Sequence, residues 1–218
     1  MTMISSWRAA DVRQWHGHGM EQFHHPRPAC LGHGSSLRPT EERRRLLRGL
    51  SGTVLEIGAG DGIKFACYPD TVRQIAVAET DSFLLDTVRR NCAQGPIPVH
   101  RVAGDVSRLP VPDGMFDAVV CSLILCTAPD LGRSLAEIKR VLEPGGELRF
   151  YEHVRSARPL AAAAERLVTP LWSQVCGGCH PARDTLAAIE SAGFVVDQVS
   201  RFSVMGVSHV LGTARKAA

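Results

Sequence analysis

The sequence predicts an α/β domain, with a mostly parallel seven-stranded sheet, helices on both faces and an antiparallel strand at its C-terminal edge. Three observations predict it. Short apolar runs alternate with helical patterns between residues 53 and 152, the pattern of a parallel sheet covered on both sides. The first run, Val54-Leu55-Glu56-Ile57, passes directly into Gly58-Ala59-Gly60-Asp61-Gly62, a buried strand followed by a loop with glycines at alternate positions. The last two runs, 194–203 and 207–214, have no helix between them and so suggest an antiparallel pair.

Residues 1–36 carry His16, His18, His24, His25 and His33 among Gly, Pro and Arg without an apolar period, and read as a flexible lead-in. Histidines without a carboxylate or cysteine frame are usually solvated rather than metal ligands. Residues 37–218 read as a single domain. Thr40 to Leu50 predicts a short basic helix ending at Gly49 or Gly52. Strands follow at 53–57, 74–79, 97–103, 116–121 and 147–152, with helices near 63–67, 82–93 and 131–142 between them. Pro144-Gly145-Gly146 stops the third of these helices and turns the chain into the fifth strand. An insertion over about 154–182 holds a helical stretch at 160–175, and another helix at 183–192 ends at Gly193.

The 218 residues are 44% hydrophobic and 22% charged, ordinary for a soluble globular domain. The net charge of +3, with acids interleaved among the bases, supplies no basic stripe for nucleic acid. No stretch approaches the roughly 20 apolar residues that span a bilayer, and no basic-then-apolar signal segment opens the chain, so a cytoplasmic location is expected. Seven scattered cysteines fit reduced thiols better than a disulfide framework. None of these features sets an oligomeric state.

The glycine loop points to a nucleotide-like cofactor. A dinucleotide loop normally reads Gly-x-Gly-x-x-Gly, and here the third glycine comes one residue early. Gly58-x-Gly60-x-Gly62 after Val-Leu-Glu-Ile resembles the first motif of class I S-adenosylmethionine-dependent methyltransferases. Glu79 ends the second strand about 20 residues after the loop, where an acid accepts both ribose hydroxyls. Asp105 follows the third strand in Ala103-Gly104-Asp105-Val106. Leu109-Pro110-Val111-Pro112-Asp113-Gly114-Met115-Phe116-Asp117 and Arg140-Val141-Leu142-Glu143-Pro144-Gly145-Gly146 are similar to two further junctions of the same enzymes. Either acid alone would read as a solvated strand end; their order and spacing carry the resemblance, which covers roughly residues 40 to 215.

The resemblance implies a Rossmann-like class I fold, S-adenosyl-L-methionine as cofactor with S-adenosyl-L-homocysteine as product, and no metal. It implies a cofactor-binding set of Glu56, Gly58, Ala59, Gly60 and Gly62 in the first loop. Glu79 and Thr80, Asp105 and Val106, and Cys121 continue that set from the next three strands. Glu56 keeps two readings, since an acid at the end of the first strand either touches the ligand or only positions the loop.

Acceptor choice falls to the segments after the fourth and fifth strands. Leu125-Cys126 stands where many relatives have Leu-His; Tyr151-Glu152-His153-Val154-Arg155 leaves the fifth strand; Gly177-Gly178-Cys179-His180-Pro181-Ala182-Arg183 follows later. Together they resemble a branch that includes membrane-anchored alkyl-thiol methyltransferases, which implies an acceptor pocket of Cys126, His153, Cys179, His180 and Arg183. Cys176-x-x-Cys179-His180 also fits covalent haem attachment, but that needs an exported chain. Zinc would need a further ligand, with His153 recruited only by folding. A redox dithiol of Cys176 and Cys179 lacks the thioredoxin-like context.

His153 and His180 are the candidate bases, being matched to proton removal at neutral pH. The plainer readings are a loop hydrogen bond for His153 and a cap on the helix near Arg183 for His180. Arg183 would lower the pKa of an acceptor thiol or be a surface ion-pair partner. The expected function is methyl transfer to a small-molecule acceptor, a thiol ahead of oxygen, nitrogen or carbon. The alternatives are an O- or C-methyltransferase for quinone-like, phenolic or natural-product acceptors, and a cofactor-binding regulatory protein without catalysis.

Overall fold

The computed structural model describes residues 39–60, 62–80, 88, 96–102 and 104–217. The His-rich lead-in and the helix expected at 82–93, Val88 apart, lie outside them. Helix α1 (Glu41–Leu47) begins on Thr40, whose hydroxyl accepts the Arg43 N–H. Strand β1 (Gly52–Ile57) and β2 (Val72–Ala78) flank a 3₁₀ helix at Ile63–Cys67. Then come β3 (Val99–Val102), β4 (Phe116–Ser122), α2 (Leu131–Val141) and β5 (Leu142–His153). Helices α3 (Pro159–Val175) and α4 (Thr185–Ser191) precede β6 (Phe194–Val204) and β7 (Val207–Lys216).

The seven strands lie in the order β3-β2-β1-β4-β5-β7-β6. The first five pair in parallel, while β7 runs antiparallel to both β5 and β6. The C-terminal hairpin therefore inserts its second strand beside β5 and leaves β6 at the edge.

Two-residue periodicity divides each central strand between two cores. Leu55 and Ile57, Ala76 and Ala78, and Val119 and Cys121 pack with Leu135, Ile138 and Val141 of α2 and Ile189 of α4. Val54, Ile75, Val77, Ala118 and Val120 face the opposite way, onto Leu46 and Leu47 of α1. Both faces of β1 are covered, so all six of its residues are buried, Thr53 and Glu56 included.

Strand β5 begins at Leu142, not at 147 as the sequence predicts. Leu142 already pairs with Phe116, and a register shift between Phe116 and Ala118 absorbs Pro144-Gly145-Gly146. Helix α3 carries no buried residue and exposes Leu160, Leu167 and Leu171. Among the described residues no helix is long and apolar enough to cross a membrane.

The strand order reverses between β1 and β4, since the chain runs outward through β2 and β3 and then returns to the other side of β1. Open α/β sheets bind ligands at the carboxyl ends of the strands beside such a switch point. The glycine loop, Glu79, Asp105, Cys126 and His153 all follow those ends.

Candidate active site

After Ile57 the backbone turns through three left-handed glycines, Gly58, Gly60 and Gly62, at φ 66°, 61° and 72°. A Cβ at Gly58 would come within 2.9 Å of the Ile124 side chain, and at Gly62 within 3.3 Å of Val88. At Gly60 it would meet nothing within 4 Å, so this glycine leaves open space against the bare backbone. Glu79 is buried at the tip of β2. Its Oε1 accepts the Thr80 N–H at 2.9 Å and its Oε2 the Gly60 N–H at 3.4 Å, which aims the carboxylate at the loop.

Asp105, half-buried beyond β3, accepts the Ser107 N–H through Oδ1 at 2.6 Å and closes a tight turn to Arg108. Ala59 is buried, Thr80 exposed, and Val106 packs partly buried against the core. The residues fit the methyl donor: an unfilled glycine cradle lies beside one buried carboxylate, and a second carboxylate stands one strand further on.

Two members of the expected set are placed differently. Glu56 is fully buried, with Lys64 Nζ 2.5 Å from Oε1 and the Tyr68 hydroxyl donating to Oε2. Burial raises its pKa, and Lys64 and Tyr68 pull it back. Glu56 thus ties the 3₁₀ helix to β1 and positions the loop, the second of its two readings. Cys121 lies inside β4 with its thiol in the α2-side core, where burial raises its pKa well above the ordinary thiol value.

On the acceptor side, three segments bring their soft donors together. Cys126 comes from the turn after β4, His153 from the end of β5 and Cys179 from the loop between α3 and α4. His153 Nδ1 is 3.1 Å from Cys179 Sγ and 3.6 Å from Cys126 Sγ, and the two sulfurs are 3.8 Å apart. Both cysteines are buried. The bond from Cys126 lowers the Cys179 pKa, helped by His153 and opposed by burial, while the same contact and burial raise that of Cys126.

The turn that presents Cys126 is held from two sides. Glu152, fully buried, accepts the N–H groups of Ile124 and Leu125 through Oε1 at 3.1 and 3.0 Å and that of Cys126 through Oε2 at 3.0 Å. Burial raises its pKa and these three donors lower it. Arg183 donates from one nitrogen to the carbonyls of Leu125 and Ala128, both at 2.8 Å. The His180 N–H donates to the Cys126 carbonyl at 2.9 Å. Leu123 enters the turn at φ 59°, a left-handed conformation costly for a branched side chain.

Several expectations change here. Arg183 is neither a surface residue nor an ion-pair partner in a helix: it precedes the N-cap of α4 and caps carbonyls, and its pKa is lowered by burial. The N-cap of α4 is Asp184, whose side chain accepts the Ala187 N–H, so His180 does not cap it. The thiol beside Cys179 is Cys126, not Cys176. Sequence reasoning missed Glu152 and His209 as site supports, and Lys64 and Tyr68 as partners of Glu56. Glu152 had one signal, a carboxylate directly after Phe150-Tyr151 in β5; His209 had none, because only the β5–β7 pairing puts its ring 4.5 Å from that of His153.

Residues 55–150 match the family model described as a methyltransferase domain. Over 172 residues the chain is 32% identical to the thiol S-methyltransferase TMT1B of Rattus norvegicus, covering 75% of this chain and 70% of that one. It is 33% identical over 116 residues to the demethylmenaquinone methyltransferase of Deinococcus radiodurans, covering 52% and 48%. A solved structure from Bacillus halodurans C-125 superposes with a TM-score of 0.70 at 18% identity, over 85% of this chain and 100% of that one, a likeness of fold.

Proposed function

The chain belongs to the class I S-adenosylmethionine-dependent methyltransferases, and we propose that it transfers the methyl group to the sulfur of a small-molecule thiol. The observation that carries this reading is the extent of similarity. The match to the thiol S-methyltransferase runs over 172 residues, well beyond the 96-residue methyltransferase domain, whereas the match to the quinone enzyme runs over 116. The additional length draws on the chain outside 55–150.

When bound, S-adenosylmethionine supplies an electrophilic methyl group whose leaving group is a neutral thioether. Glu79 receives the ribose hydroxyls, Asp105 the adenine amino group, and Gly60 lets the ligand lie against backbone. On the acceptor side Glu152 and Arg183 fix the turn bearing Cys126, so the pocket needs little reorganisation as the acceptor arrives. Such positioning is where most of the rate in a displacement of this kind originates. His180, half-buried and next to Cys179, is the imidazole assigned to take the acceptor proton. His153, with Nδ1 against two sulfurs, holds the cysteines instead.

Calorimetry with S-adenosylmethionine tests the donor half, and an acceptor panel of alkyl thiols, phenols and quinols tests the other. Methyl thioethers from the alkyl thiols support the proposal. Methylation of the quinols or phenols alone rejects it in favour of the second reading, a quinone-type methyltransferase.

A further inference from the structure

We propose that Cys126, His153 and Cys179 form a binding site for a zinc ion, with three protein ligands and an open fourth position. Zinc takes tetrahedral coordination with Zn–S near 2.3 Å and Zn–N near 2.0–2.1 Å, which sets the edges of the tetrahedron at about 3.8 Å for S–S and about 3.6 Å for S–N. The Cys126–Cys179 edge is 3.8 Å and the Cys126–His153 edge 3.6 Å. The remaining edge, His153 to Cys179, is 3.1 Å, about 0.5 Å short of that tetrahedron. Nδ1 is the ring atom that faces both sulfurs, so one nitrogen and two sulfurs converge.

The ligand chemistry suits this ion. Thiolate and imidazole are zinc's preferred donors, and two thiolates with a neutral imidazole cancel its charge, as burial requires. The ligands come from three separate segments, so none of them depends on a local Cys-x-x-Cys spacing. Each is held from behind: the Cys126 turn by Glu152 and Arg183, and the His153 ring edge-on by His209. Cys179 is held by its own N–H, which donates to the Cys176 carbonyl. Supports of this kind are what orient the first ligand shell of metal sites.

Among the described residues no fourth His, Cys, Asp or Glu joins the group. Three protein ligands with a vacant corner are the arrangement of reactive rather than purely structural zinc. On the thiol reading above, that corner takes the acceptor: its S–H bond breaks, His180 takes the proton and passes it to solvent, and the thiolate stays on the ion at neutral pH. Methylation then forms the S–CH₃ bond of a neutral thioether as the donor's own S–CH₃ bond breaks and S-adenosylhomocysteine leaves; the thioether is a poorer ligand and departs.

The test uses the full chain, purified with a phosphine reductant and no chelator, then loaded with Zn²⁺ or Co²⁺. One zinc per chain by elemental mass spectrometry is expected. The cobalt form should show intense tetrahedral ligand-field bands and sulfur-to-cobalt charge transfer. His16, His18, His24, His25 and His33 can bind cobalt too, but nitrogen sites give no sulfur band. Cys126→Ser and Cys179→Ser should each lower occupancy at least tenfold, while Cys67→Ser leaves it unchanged; the wild-type spectrum decides the matter if the first two variants fold poorly. Absence of the sulfur band, its persistence in folded Cys126→Ser and Cys179→Ser proteins, or an intact mass lower by two hydrogens from a Cys126–Cys179 disulfide would overturn the site. Added 2-mercaptoethanol should shift the ligand-field bands; bands that do not move overturn the open corner. Product analysis in the acceptor panel reads the thiol proposal separately from all of these.

Discussion

The Glu152 carboxylate accepts the backbone N–H of Cys126 at 3.0 Å, so the residue before His153 in β5 fixes the residue opposite His153 in the β4 turn. One dipeptide, Glu152-His153, thereby aligns two of the three soft donors. Replacing Glu152 with alanine leaves three buried N–H groups without their acceptor, at about 1–3 kcal/mol each. Urea denaturation should show a loss of at least about 3 kcal/mol for Glu152→Ala, and a smaller loss for Glu152→Gln, which keeps one acceptor oxygen.

Two glycines of the left-handed region, Gly60 and Gly52, separate binding from folding. Gly60→Ala places a methyl group in open space and costs the fold only about 1–2 kcal/mol for the left-handed conformation. It should weaken S-adenosylmethionine binding in calorimetry by tenfold or more. Gly52→Ala, at φ 79°, drives its Cβ into the Asp117 side chain, which accepts the Thr53 N–H and pairs with Arg73. Its thermal midpoint should fall well below that of Gly60→Ala while residual donor affinity per folded molecule is retained.

Much of the fold was legible because the central strands are buried on both faces and the glycine, Glu79 and Asp105 positions are fixed by local sequence order. The start of β5 was not, since Pro144-Gly145-Gly146 is a stop signal locally and only pairing with β4 accommodates it as a bulge. The donor-side candidates each come from a strand end or the loop after it, in sequence order. The acceptor side could be read only as a group: the resemblance implied Cys126, His153 and Cys179 together, but Cys126 and Cys179 are 53 positions apart and their contact comes from folding. The two readings of Glu56 stayed open for a similar reason, because Lys64 and Tyr68 reach it only after the chain has turned through the glycine loop.

Glu79→Ala should weaken donor binding by about one to two orders of magnitude, the worth of one or two hydrogen bonds to a charged acceptor. Circular dichroism should be nearly unchanged. Glu79→Gln should fall between the two, because its amide oxygen still accepts. Equal affinity in all three proteins would remove Glu79 from the ribose site.

Acid sensitivity should trace in part to Glu137. Its pKa is lowered chiefly by hydrogen bonds from Arg140, at 2.7 and 2.9 Å, and further by the Leu109 N–H. A depressed folded-state pKa means the stabilisation is complete above the ordinary glutamate value of about 4.3 and is lost as pH falls through the lower folded value. Glu137→Gln should therefore be less stable than wild type by about 1–3 kcal/mol at pH 7. The gap should narrow as the pH is taken below 4 in matched denaturation curves, and a constant gap would show that the ion pair contributes nothing.

The acceptor atom can be read directly with S-adenosylmethionine carrying a ¹³C-labelled methyl group, an alkyl thiol and a quinol in the same reaction, and carbon NMR of the products. The account predicts label on sulfur, as a methyl thioether. Label on oxygen or ring carbon alone, with the thiol returned unmethylated, would contradict it.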